Sequence, residues 1–412
     1  MILFDNKIKR IIFVSLISSV FLSFILDPQL FPDSQGYIDY HSLRSFGYPL
    51  FINLLQKNLF LVVLVQLFLA HISSVFFILE LKKKFKLNNL SSLLIFLILI
   101  VISLKISLSI LTGSLAFSLY LFSLIFLIKF LDKMDFKNFI ISFFFIFLAV
   151  CIRSQIIFAM LNLLTISIYL YPQKKRFLFL LIPLISIILV IPKEINRFSN
   201  KTFNQINIPI VDQWNQLLVF PIYSSGIQIS QFIENKEFKN LFTRIYNCMK
   251  EKKITKNIAI KNGQNWTEIL DNNYFPAKNC SNTQIDYLYK NYSLEEKEEI
   301  GKKLYFKVIY ASWKLNKVQI LKDYFMKASK SFKNQYYALI FILFTFFLNL
   351  QLLIKFNKKL LFLNILCITH LSNVFLISLV APMLVRYTFY TELILILALI
   401  SLVINYFHVR KS

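Results

Sequence analysis

Glycine is scarce in this chain, 6 in 412 residues, and none of the six belongs to a Gly-rich phosphate loop or a G-x-G-x-x-G turn. There is no H-E-x-x-H helix and no lipidation box. No nucleotide site is therefore visible. The four histidines, His41, His71, His370 and His408, have no ligand spacing, which argues against a histidine metal site. Cysteine is equally sparse and scattered. Cys151 and Cys367 lie in apolar runs, whereas Cys248 and Cys280 lie in a polar segment, where they are either a disulfide of an oxidising compartment or two unrelated thiols. No low-complexity linker divides the chain. The first apolar run has no small-x-small cleavage site after it, so it reads as a retained helix and not as a signal peptide.

What the chain has in excess is apolar residues, 57% of the total, gathered in runs near the roughly 20 residues that cross a bilayer. This is the composition of an all-α polytopic membrane protein. The net charge of +25 does not point to nucleic acid, because the Lys and Arg stand in short clusters between the apolar runs, where they orient helices. Spans are expected at 8–26, 59–80, 91–108, 110–128, 138–152, 155–171, 177–192, 337–354, 360–380 and 387–407. With ten spans, every cluster falls on the inner side: Lys7/Lys9/Arg10, Lys82 to Lys86, Lys129/Lys133/Lys137, Lys174/Lys175/Arg176, Lys355/Lys358/Lys359 and Arg410/Lys411. One long helix over 138–171 would break that parity, so a hinge is expected at Cys151-Ile152-Arg153-Ser154-Gln155. The chain then divides into a seven-helix module (1–192), a polar external segment (193–335) of mainly α or α+β structure, and three C-terminal helices (336–412). The first loop, 27–58, shares the external face with that segment and with Arg153. Lys302 to Lys333, rich in Lys and aromatics, reads as an interfacial amphipathic helix or as an aromatic belt for the next span.

The first loop carries the densest chemistry: Pro32-Asp33-Ser34-Gln35-Gly36-Tyr37, then Arg44 and Gly47-Tyr48-Pro49. Residues Tyr37 to Leu55 suit a helix along the membrane surface, interrupted at Gly47-Tyr48-Pro49. Two readings of Asp33 stand at this point: an N-cap for that helix, or a carboxylate that takes a proton from an acceptor hydroxyl.

The string Pro32-Asp33-Ser34, Tyr37, Arg44, Gly47-Tyr48-Pro49-Leu50-Phe51 directly after the first helix resembles the first external loop of GT-C superfamily glycosyltransferases. These include the dolichyl-phosphate-mannose protein mannosyltransferases and the bacterial aminoarabinose transferases. Seven spans followed by a long external segment resemble that family's layout as well. Arg153, in Leu-Ala-Val-Cys-Ile-Arg-Ser, resembles the Arg after helix five in those enzymes, and Arg386-Tyr387 resembles an Arg-Tyr pair that opens a late helix. The resemblance implies an inverting glycosyltransferase of the cell envelope, in a bacterial inner membrane with its site on the periplasmic face. Asp33 would be the base, and Ser34, Tyr37, Arg44, Tyr48, Arg153, Arg386 and Tyr387 would bind substrate. The donor would be a polyprenyl-phosphate sugar and the acceptor a lipid, glycan or protein. Arg suits the donor phosphate through bidentate, charge-assisted bonds, although Arg at helix ends also snorkels. Relatives often carry a second acid in the first loop and a Glu in the fourth helix, where this chain has Leu111-Thr112-Gly113-Ser114, with Asp39 and Asp27 as weak substitutes. A divalent cation, Mg or Mn, is therefore an open question. Two alternatives remain: an O-antigen polymerase or ligase, which leans on external Arg and His, and a lipid-linked glycan flippase or transporter, which would need charges at helix centres.

Overall fold

A computed structural model describes residues 6–170, 176–211, 213–261, 263, 266–380 and 385–411. It is helical over 85% of its length, and among the described residues it contains no strand, only an isolated bridge between Gln29 and Ser109. In chain order the helices are α1 (Asn6–Ile25), α2 (Ser34–Ile38), α3 (Gly47–Leu54), α4 (Leu59–Phe85), α5 (Asn89–Ser107), α6 (Gly113–Lys133), α7 (Phe136–Ile152), α8 (Met160–Leu170) and α9 (Arg176–Asn204). They continue as α10 (Gln213–Ser225), α11 (Lys236–Glu251), α12 (Lys256–Lys261), α13 (Trp266–Asn272), α14 (Tyr274–Leu288), α15 (Leu294–Ser329), α16 (Gln335–Ile354), α17 (Lys358–Val380) and α18 (Val385–Lys411). Two compact units result, one of residues 1–204, 345–373 and 389–412, the other of 205–344 and 374–388.

Among the described residues, six helices are long and apolar enough to cross a bilayer: α4, α5, α6, α16, α17 and α18. They mark the chain as a membrane protein. Shorter apolar helices stand at 10–25, 136–152 and 154–169. The apolar centre of α6 is 78% buried against its neighbours, whereas that of α16 is only 22% buried and exposes Leu339, Ile340, Phe346, Phe347, Leu353 and Ile354. A face of that kind is stable only against lipid or other apolar surface.

The helix ends follow from local chemistry. Lys86 and Met134 adopt left-handed conformations (φ 52° and 54°) that stop α4 and α6. Asn88 and Asp135 then start the next helices by accepting from Ser91 N at 2.8 Å and Asn138 N at 2.7 Å. The two tight α-hairpins leave Lys82, Lys83, Lys84 and Lys133 at helix C-termini, where the backbone dipole favours cations. Between α7 and the 3₁₀ turn Ser154–Ala159, Arg153 is extended (φ −147°, ψ 102°), so 138–170 is divided into two helical stretches with Arg153 at the break. The first loop departs from the sequence expectation. No helix runs through it from Tyr37 to Leu55. Instead α2 ends at Ile38, and Gly47-Tyr48-Pro49 opens α3, because proline is tolerated in a first helical turn, where no backbone N–H is needed.

The second unit packs amphipathic helices around Phe238, Leu241, Phe242, Ile245 and Met249 of α11, a helical spacing of three and four. Cys248 and Cys280 form a disulfide that ties α11 to α14. Ser293 and Glu296 close a reciprocal capping box at the start of α15. That helix kinks at Asn316, whose dihedrals (φ −163°, ψ 83°) are not helical. Asn316 Oδ1 accepts from Gln319 N at 3.0 Å and so restarts the helix beyond the kink.

Candidate functional site

Asp33 precedes α2 but makes no side-chain cap bond to it. Its carboxylate turns instead to Arg44, whose Nη2 donates to Asp33 Oδ1 at 2.6 Å. The two side chains are 38% and 27% exposed, so the pair is neither sealed in a core nor fully solvated. The Arg44 guanidinium also lies 5.0 Å from the centre of the Tyr37 ring. Gly36 makes room for it, since a Cβ there would stand 3.2 Å from Arg44 Nε. Asp33, Gly36, Tyr37 and Arg44 thus form one cluster.

The rest of the loop is held by latches. Ser34 is buried: its Oγ accepts from Phe31 N at 2.9 Å and donates to Ile110 O at 2.8 Å, which ties the Asp33 turn to the α5–α6 connection. Gln29 N donates to Leu108 O at 2.9 Å and Gln29 O accepts from Ile110 N at 3.0 Å, so the same connection grips the loop twice. Tyr48 is fully buried, donates to Gln66 Oε1 at 2.9 Å and meets Tyr37 edge-on with ring centres 5.3 Å apart. Burial holds the Tyr48 phenol far above its usual pKa, which keeps the proton it donates. In this arrangement Ser34 and Tyr48 position the cluster from behind.

A further latch comes from α9, where Asn196, Asn200 and Asn204 follow one another every four residues along one face. Asn196 Oδ1 accepts from Phe46 N at 3.0 Å, Asn200 Nδ2 donates to Ser42 O at 3.5 Å and Asn204 Nδ2 donates to Tyr40 O at 2.8 Å. These bonds satisfy backbone groups in the irregular stretch between α2 and α3.

Gly47 joins the loop to the second element of the site. A Cβ at Gly47 would stand 2.6 Å from the Cys151 carbonyl oxygen, so only glycine lets α3 begin there. Two residues beyond Cys151 is Arg153, whose Nη1 donates to Tyr390 Oη at 2.9 Å with the guanidinium 5.3 Å from the ring centre. Arg153 Nε donates to Gln155 Oε1 at 3.1 Å. Gln155 Nε2 passes the chain to Asn373 Oδ1 at 2.8 Å, and Asn373 Nδ2 donates to Thr391 Oγ1 at 3.1 Å. Arg153 is therefore fixed in direction by groups from α17 and α18.

No protein-family model, curated protein or solved structure matches this chain.

The side chains of Arg386 and Tyr387 lie outside the described residues; their backbone belongs to the first turn of α18, one turn before Tyr390. Tyr390, the asparagine ladder, Gln66 and Gln155 are site residues that sequence reasoning did not single out. Among the described residues, no three His, Cys, Asp or Glu side chains gather in metal-binding geometry. Within the loop Asp33 meets Arg44, and Asp39 accepts from Gln35 Nε2 at 2.6 Å.

Proposed function

We propose that this chain is a membrane glycosyltransferase that moves a sugar from a polyprenyl-phosphate donor to an acceptor hydroxyl, with Asp33 as the base. The observation that carries the reading is the side chain of Asp33 itself. An aspartate beside a short helix has an ordinary use as its cap, whereas this one makes no cap bond and enters a half-open ion pair with Arg44. A carboxylate paired to an arginine, in a loop held by Ser34, Gln29, Tyr48 and the asparagines of α9, is preorganised for proton transfer.

In the proposed reaction the acceptor oxygen attacks the anomeric carbon, and its proton passes to Asp33. The bond from that carbon to the phosphate oxygen breaks, and its electron pair leaves with the polyprenyl phosphate. One displacement inverts the anomeric centre. Arg44 orients Asp33, while Arg153 and Arg386 offer charge to the departing phosphate. Two features support an extracytoplasmic site. The lysine clusters alternate as the positive-inside rule requires for ten spans. The Cys248–Cys280 disulfide suits an oxidising compartment, which the second unit would share with the first loop.

Purified protein in proteoliposomes, supplied with polyprenyl-phosphate sugars and membrane acceptors, tests the reading. The expected outcome is transfer with inverted anomeric configuration by NMR; transfer with retention would contradict the single displacement.

A further inference from the structure

The unit of residues 205–344 and 374–388 contains a second built site. A cavity of about 190 Å³ lies where the end of α10, the 3₁₀ turn Gly226–Phe232, α11 and the start of α12 meet, and its lining includes Tyr223, Ser224, Gln228, Tyr246, Lys256 and Asn257. Two of these residues grip a carboxylate that is fully buried. Ser224 Oγ donates to Asp323 Oδ2 at 2.5 Å, and Lys256 Nζ donates to the same oxygen at 2.7 Å. Gln319 Nε2 completes the shell at 2.7 Å from Oδ1. A buried carboxylate is tolerated only when its lone pairs are met, and three donors meet them here. The helix restart at Asn316 puts Gln319 and Asp323 one turn apart for this purpose.

The chemistry of the lining selects among ligands. Lys256 and Asp323 cancel in charge, so neither an anion nor a cation gains net attraction. What remains is hydroxyls, amides and two phenol rings. Hydroxyls and amides both donate and accept, which matches a sugar's vicinal hydroxyls, and aromatic rings accept its C–H face. The volume of about 190 Å³ is below the roughly 300–1,000 Å³ of pockets for drug-sized ligands, which suits a single sugar ring.

We infer that this cavity binds a single neutral sugar residue. As a subsite for a glycan acceptor it rests on the transferase reading above, whereas the binding itself does not.

The test is titration of full-length protein in nanodiscs with methyl glycosides of neutral hexoses, read by calorimetry and saturation-transfer NMR, with inorganic phosphate as the charged comparator. At least one glycoside should bind saturably. Gln228→Ala/Asn257→Ala, at two exposed positions, should weaken it about tenfold through two lost hydrogen bonds without lowering the melting temperature. The inference is overturned if no glycoside binds, if phosphate alone binds, or if the double variant binds as wild type. The two readings fail separately. Glycoside binding together with undiminished transfer by Asp33→Asn would end the transferase reading and leave the pocket standing; loss of transfer with no glycoside bound would do the reverse.

Discussion

Asp33 and Arg44 stand eleven residues apart and share one ion pair, 2.6 Å long and about one-third exposed. Pairs at that exposure contribute roughly 0–1 kcal/mol to stability, so little folding energy rests on this one. Asp33→Asn is therefore expected to leave the melting temperature within about 2 °C of wild type while lowering transfer about 100- to 10,000-fold, the range lost with a general base. Gly47→Ala should behave in the opposite order. Its Cβ would press on the Cys151 carbonyl 2.6 Å away, and the forced backbone shift should cost about 1–3 kcal/mol, read as a lower denaturation midpoint, with transfer falling because Arg44 and Arg153 lose their register. At this scale the sequence was legible where chemistry is written in consecutive residues. Asp33, Tyr37 and Arg44 stand in one loop and form one cluster. Tyr390 was not legible, because its role depends on Arg153 more than two hundred residues away. The asparagine ladder was present as Asn at every fourth position from 196 to 204, but the chain is so rich in Asn that the period did not stand out.

At the scale of elements, the α7 break could be read from charge parity, since one long helix would have placed Lys174 on the wrong side. The α15 kink could not: nothing around Asn316 signals a helix break, and the restart depends on its side chain reaching Gln319 N. Beyond the kink, Lys327 is fully buried, has no hydrogen-bond partner for Nζ, and lies 5.7 and 5.9 Å from the ring centres of Phe220 and Tyr274. Burial pushes its ammonium down to about 8, with Asp271 partly opposing and Lys330 adding to the shift. In the folded protein this proton leaves from about pH 8 upward, whereas the unfolded chain holds it until about 10.5. The unfolded state therefore binds more protons in that window, and stability rises with pH across it. Lys327→Met should abolish that rise and, by removing a charge that must be buried below pH 8, raise stability at pH 7 by about 1–3 kcal/mol. Thermal unfolding of both proteins at pH 7, 8, 9 and 10 checks it; parallel curves for the two would show that Lys327 titrates normally.

For the whole molecule, composition sufficed to name an all-helical membrane protein, because apolar runs of bilayer length have few other uses. The number of spans was harder, since several runs are short and, among the described residues, six helices meet a strict length and hydropathy test. The cysteines could not be paired from sequence, because 32 residues of separation say nothing about distance in a helical unit; folding brings α11 against α14 and closes the bond. Cys248→Ser/Cys280→Ser should cost about 2–5 kcal/mol in the denaturant midpoint. In intact cells, an impermeant reductant followed by an impermeant maleimide should label Cys248, the half-buried partner of the pair, under the proposed orientation. Labelling only after permeabilisation would reverse it. The most direct test of the account is the transfer rate of Asp33→Asn beside wild type, at matched amounts in the same proteoliposomes and with a donor that wild type uses. Transfer should collapse at least a hundredfold with unfolding unchanged; a variant that transfers as fast as wild type would show that Asp33 is a structural partner of Arg44 and not the base.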